Sequence, residues 1–115
     1  MIFHKPALLQ EVLEYLRPKA SGRYIDATAG GGGHTKAILE SGAQVLAIDR
    51  DPDSINFLKA NLMPAFAASL KLVNGNFAQI AVISKETGFE KVDGILFDLG
   101  VSSHQLETAD RGFSI

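Results

Sequence analysis

The residues with the clearest chemical potential form one run, Asp26-Ala27-Thr28-Ala29-Gly30-Gly31-Gly32-Gly33-His34-Thr35. It lies between a segment that reads as a strand and one that reads as a helix. Consecutive glycines let a backbone approach a ligand closely and take positive φ where a turn requires it. The helix that follows starts with N–H groups that have no partner within it. Together these suit a carboxylate or a phosphate, although glycine-rich turns also occur for close packing alone. A second carboxylate, Asp49, ends the next strand-like segment, 19 residues after Gly30. An acidic side chain about 20 positions on, at the carboxyl end of a second strand, can accept hydrogen bonds from a ribose diol. That holds for any adenosine cofactor. Asp51 fits better as the N-cap of the next helix, with Pro52 in its first turn.

The glycine spacing narrows the choice. A dinucleotide fingerprint needs G-x-G-x-x-G. Counted from Gly30 the pattern runs Gly30, Gly32, Thr35; counted from Gly31 it runs Gly31, Gly33, Lys36. Neither supplies the third glycine. A phosphate-binding P-loop is excluded, because no Gly-Lys-Ser/Thr follows the glycines. Further on, Phe97-Asp98-Leu99-Gly100-Val101-Ser102-Ser103 ends the last strand-like segment. Ligands of open α/β sheets sit outside the carboxyl ends of the strands, so Asp98 is expected to face the same crevice as Gly32 and Asp49. There it would bind an ammonium group, orient an amine, or serve only as a turn residue. Phe77 follows the third strand and would suit a wall beside an adenine; taken alone, a single Phe there reads as core. His4, His34 and His104 have no metal-ligand spacing, and no Gly-x-Ser-x-Gly elbow marks a hydrolase triad. No metal site is expected.

These residues need a frame. Leu8, Leu9, Val12, Leu13 and Leu16 recur at helical spacing, predicting a helix over Pro6–Leu16 that Pro18 and Gly22 end. Strands are predicted over Arg23–Thr28, Gln44–Asp49, Leu70–Asn74 and Val92–Leu99. Helices are predicted over His34–Ser41, Asp51–Leu62 and Ala78–Glu86, with Met63–Ser69 either a helix end or a short extra turn around Pro64, and Gly100–Ile115 reads as loop. Strands alternating with helices indicate a parallel α/β sheet with right-handed crossovers and helices on both faces. Its strands are nearly all apolar, as central parallel strands buried on both faces must be. A sheet of this kind normally continues, so the chain reads as truncated after its fourth strand, leaving that strand's outer edge unpaired.

Bulk properties bound the function. A chain of 115 residues allows one small domain. No apolar run is long enough for a membrane helix, and the N-terminus lacks a signal-peptide pattern. The absence of cysteine excludes a disulfide framework and fits a reducing cytoplasm. With net charge −2 and eleven scattered basic residues, the chain lacks the basic face of a polyanion binder. Any RNA contact would come from a local patch or from further protein.

The motifs taken together resemble one family. They are His4-Lys5-Pro6-Ala7-Leu8-Leu9, Tyr24 through Thr35, Val45-Leu46-Ala47-Ile48-Asp49-Arg50-Asp51-Pro52, and Val92 through Ser103. Gln105-Leu106 and Arg111-Gly112-Phe113-Ser114 follow in order. Over essentially its whole length the chain is similar to the ribosomal RNA small-subunit methyltransferase H family, and to its N-terminal portion. The departures are His104 where the family usually has Pro, Glu107 where Asp is common, and Ala7 where Val is common.

The resemblance implies a Rossmann-like S-adenosylmethionine-dependent methyltransferase fold. It implies N4-methylation of a cytidine in bacterial small-subunit ribosomal RNA, with the RNA or the assembled small subunit as partner and no membrane. By likeness, Gly32, Gly33 and His34 contact the methionine part of the cofactor, Asp49 binds the ribose, and Phe77 lies by the adenine. Asp98 and Gln105 complete the pocket. Residues 1–115 then form the first part of the cofactor-binding domain, without its remaining strands and an inserted helical domain that grips RNA. The cytosine N4 lone pair is delocalised, so an acceptor beside the amine would help; Asp98, Ser102 and Ser103 are the candidates. Two other classes stay open: another adenosine-cofactor enzyme (a small-molecule methyltransferase or an NAD-dependent oxidoreductase), and an inactive truncated fragment.

Overall fold

The computed structural model describes residues 9–27, 32–97, 100–101 and 113–114. Helix α1 (Leu9–Leu16) leads into β1 (Arg23–Asp26), α2 (Gly33–Glu40), β2 (Gln44–Asp49), α3 (Pro52–Phe66) and β3 (Leu70–Asn74). A 3-10 turn (Phe77–Gln79), α4 (Ile80–Thr87), β4 (Lys91–Val92), β5 (Gly94–Phe97), β6 (Gly100–Val101) and β7 (Phe113–Ser114) follow.

The main sheet has the order β3-β2-β1-β5-β6. β1 is parallel to both β2 and β5, with Ile25 opposite Leu46 on one side and Ile95 on the other. β2 is parallel to β3. The chain therefore winds outward from β1 to β3, then returns to the other side of β1. With right-handed crossovers, that return puts α4 on the face opposite α2 and α3.

Alternation along the strands divides the core accordingly. Tyr24, Val45, Ala47 and Leu96 pack with Val12, Leu16, Ile38, Leu39, Leu58 and Leu62 from α1, α2 and α3. Ile25, Leu46, Ile48 and Ile95 point the other way and pack with Ile83 of α4, Phe89 and Val92. Each fully buried Leu or Ile contributes ~1.5–3 kcal/mol relative to exposure, so the double alternation fixes the register of β1 and β2.

Several expected boundaries move. Helix α3 runs past Leu62 and through Pro64 to Phe66, so the start of Met63–Ser69 is the helix end and not a separate turn. Pro64 sits in the last turns on the exposed side. The bond its missing N–H forgoes leaves a carbonyl that water can reach, while Met63 and Phe66 keep packing on the core. β1 ends at Asp26 rather than Thr28. The strand expected over Val92–Leu99 is interrupted at Asp93. There Asp93 N–H donates to the Arg23 carbonyl at 2.7 Å, and Arg23 N–H donates to Asp93 Oδ2 at 2.9 Å.

The loop reading of Gly100–Ile115 is corrected at both ends. β6 pairs antiparallel with β5, Leu96 opposite Val101 and Phe97 opposite Gly100. β7 pairs antiparallel with β4. The outer edge of β5, expected to be unpaired, thus has a partner over those residues. Two-residue strands carry no periodicity to read, because an alternating pattern needs roughly four to eight residues.

Candidate functional site

The carboxyl ends of β1, β2 and β3 open on a cleft of about 250 Å³ lined by Ala27, Ile48, Asp49, Arg50, Gly75, Asn76 and Phe77. It lies where ligands of open α/β sheets bind. Asp49 and Phe77 meet in this cleft. Gly32, Gly33 and His34 lie at the N-terminus of α2 and are not among its lining residues.

Asp49 is the last residue of β2. Its Oδ1 accepts the Asp51 N–H at 2.8 Å, which turns the chain sharply toward α3. Asp51 is the helix cap: extended at φ −86° and ψ 114°, its Oδ1 accepts the Asp53 N–H at 2.9 Å. The assignment of the cap to Asp51 rather than Asp49 thus agrees with the geometry. Asn76 Oδ1 accepts the Ala78 N–H at 2.9 Å and starts the 3-10 turn that carries Phe77.

Phe77 is 41% exposed, so its reading as plain core is wrong. A 3-10 turn on the rim, rather than the sheet itself, carries the ring. It leans on Phe97 of β5, with ring centres 5.7 Å apart and planes tilted by 30°. An aromatic surface left half-open beside a carboxylate can cover a flat heterocycle while the carboxylate accepts from hydroxyl groups.

The glycine turn is built differently. Gly32 caps α2 in the left-handed region, φ 83° and ψ 0°. A Cβ there would lie 2.8 Å from Leu58 Cδ2, so both conformation and space demand glycine. Gly33 is exposed, and a Cβ on it would meet nothing within 4 Å among the described residues. The imidazole Nε2 of His34 is buried with no hydrogen-bond partner among the described residues. Beneath the turn, Thr35 Oγ1 donates to Asp26 Oδ2 at 2.5 Å, and both residues are fully buried. This bond joins the end of β1 to the first turn of α2 and closes the loop between them.

Asp26 and Thr35 appear in the sequence only as the flanks of a glycine run. The one clue is that Thr35 stands where a dinucleotide fingerprint has its third glycine. Arg50, Asn74 and Asn76 were likewise not singled out, although polar residues bracketing a glycine straight after a strand are a turn signal. Asp98, Ser102, Ser103 and Gln105 lie outside the described residues, as do Gly30 and Gly31.

Comparison with known proteins bears on all of this. The sequence profile of the MraW methylase family matches residues 1–115. The ribosomal RNA small subunit methyltransferase H of Thermomicrobium roseum is 51% identical over 114 residues, covering 96% of this chain and 35% of that protein. The protein of the same name from Heliobacterium mobile is 47% identical over 115 residues, covering 96% of this chain and 36% of its own. The chain thus spans about a third of the length of these relatives. Among solved structures, the C-terminal domain of precorrin-6Y C5,15-methyltransferase from Rhodobacter capsulatus superposes with a TM-score of 0.70. It is 14% identical, and the match covers 95% of this chain and 57% of that one. That likeness shows the fold: a Rossmann-like methyltransferase sheet, as expected from the sequence. By the profile and by these relatives, the chain belongs to the MraW methylase family.

Proposed function

We propose that this chain is the cofactor-binding part of an enzyme that methylates N4 of a cytidine in small-subunit ribosomal RNA, acting in the cytoplasm on the RNA or the assembled subunit. The relatives' names support the RNA substrate. The observation that carries the cofactor side is the cleft shared by Asp49 and Phe77 at the strand ends. A carboxylate, a half-exposed ring and the polar rim of Asn76 match a ribose, an adenine face and its polar edge. Against NAD stands Thr35, whose buried bond to Asp26 fills the position of the third fingerprint glycine.

In this reading Asp49 accepts from the ribose hydroxyls and Phe77 covers the adenine. Gly32, Gly33 and His34 hold the methionine end, and Asp98 and Gln105 close the pocket. S-adenosylmethionine supplies an activated methyl carbon, and the protein's task is to orient the acceptor amine in line with it. Asp98, Ser102 or Ser103 would accept a hydrogen bond from the amine and localise its lone pair. The further sheet strands and an RNA-gripping helical domain belong to the rest of the family's length. Among the described residues, no helix is long and apolar enough to cross a membrane.

The test is transfer of a tritiated methyl group to small ribosomal subunits, followed by mapping of the labelled nucleotide. Label at a cytidine N4 is expected; label on another base, or on small molecules only, would overturn the substrate. Residues 1–115 alone should turn over far more slowly than a chain extended by a relative's remaining length. RNA affinity depends on phosphate neutralisation, which a chain of net charge −2 supplies poorly. Equal turnover would mean the additional length is not needed to hold RNA.

A further inference from the structure

We propose that Asn74 is a positioning residue for the cofactor ribose: its side-chain amide sets the direction in which Asp49 leaves β2 and enters the cleft. The proposal rests on the reading of Asp49 as the ribose acceptor.

Asn74 is the last residue of β3 and stands directly opposite Asp49 in the parallel register. Its Nδ2 donates to the Asp49 carbonyl at 3.0 Å and to the Arg50 carbonyl at 2.9 Å. A primary amide has two N–H donors on that nitrogen, and both are used. The partners are both carbonyls, which settles which end of the amide faces them. Gly75 N–H also donates to the Asp49 carbonyl at 2.9 Å, so this oxygen accepts twice. The peptide units at which β2 becomes the turn are therefore held by the neighbouring strand rather than by β2 itself. The Asp49 carboxylate itself accepts from Asp51 N–H, and the chain passes into the α3 cap.

Three acceptors are thus held around one turn: the Asp49 carbonyl by Asn74 and Gly75, the Arg50 carbonyl by Asn74, and the Asp49 carboxylate by Asp51 N–H. Strand pairing alone would not hold the Arg50 carbonyl, because the ladder ends at the Asp49–Asn74 pair. A residue without two donors at position 74 would leave the Asp49 carbonyl to the Gly75 N–H alone and the Arg50 carbonyl without its bond to β3. The turn that brings Asp51 N–H to the Asp49 carboxylate would then be held less firmly. An alanine there removes both bonds from an exposed position and leaves no buried group unpaired. An aspartate keeps the shape but sets a carboxylate against two carbonyl oxygens.

The experiment measures dissociation constants in the full chain for S-adenosylhomocysteine and for its analogue with both ribose hydroxyls replaced by hydrogen. The preference for the hydroxylated ligand is the readout, since a merely structural defect weakens both ligands alike. Wild type should favour S-adenosylhomocysteine. Asn74→Ala should cut that preference about three- to tenfold, the scale of one or two hydrogen bonds, and Asn74→Asp should cut it further. Asn74→Ala carries the test if Asn74→Asp does not fold. Equal loss for both ligands, or an unchanged preference, would overturn the proposal. Asp49→Ala separates the two layers. If it abolishes the preference while Asn74→Ala does not alter it, only the role of Asn74 falls. If Asp49→Ala itself leaves the preference intact, the ribose reading falls and takes the positioning role with it.

Discussion

The two sides of the strand-end crevice are held by different physics. At the α2 turn, Gly32 presses against Leu58 and a buried Thr35–Asp26 bond ties helix to strand. At the β2–β3 rim, Asn74 bonds across to the Asp49 and Arg50 carbonyls, while Asp49 and Asn76 each accept from an N–H of their own turn, all at the surface. The first side is part of the core, so a change there should register first as lost stability. The second is a polar frame on the surface, so a change there should register first as lost affinity.

Gly32→Ala should give the largest stability effect, about 2–5 kcal/mol. It combines a left-handed backbone penalty of ~1–2 kcal/mol with overpacking of ~1–3 kcal/mol. Gly33→Ala, whose Cβ meets nothing within 4 Å among the described residues, should change stability by under about 1 kcal/mol, and helix propensity favours alanine there. Urea denaturation of the pair checks this. Comparable losses in both would mean that the turn is not held by its contact with Leu58.

Thr35→Val keeps the shape and removes the hydroxyl. It should destabilise by about 2 kcal/mol, because a buried carboxylate loses a donor. A neutral result would show that Asp26 is satisfied without Thr35. Asp51→Ala should cost about 1 kcal/mol as a lost cap, with little effect on cofactor affinity.

Tyr24 gives the smallest effect, at the end of β1 away from the cleft. Burial raises its hydroxyl pKa above the ordinary 10.0, an effect that the Lys19 N–H bond partly offsets. The folded value is the higher one, so this contribution is intact below about pH 10 and is lost as pH rises through the folded value. Tyr24→Phe should flatten that part of the stability profile and leave cofactor affinity unchanged. A profile identical to wild type would remove Tyr24 as its cause.

The contrast also explains what could be read in advance. β2 and β3 were legible to their end residues because four to six consecutive residues alternate or stay apolar between clear breakers. Gly32 and Asp49 stood out by type and spacing. The Asp26–Thr35 bond did not, since neither residue has a periodic signature and their meeting depends on how α2 docks on β1. Asn74 read as an ordinary strand end, because its role lies in a cross-strand register that only the sheet order creates. β6 and β7 are too short for any pattern, and Phe77 misled because an aromatic residue after a strand is usually buried.

The most direct test is titration calorimetry with S-adenosylhomocysteine and with NAD, on wild type and on Asp49→Ala. S-adenosylhomocysteine should bind wild type and NAD should not. Asp49→Ala should weaken the former by ~1–3 kcal/mol, the scale for unpaired polar groups. Tighter binding of NAD, or unaltered affinity in Asp49→Ala, would contradict the assignment of the cleft.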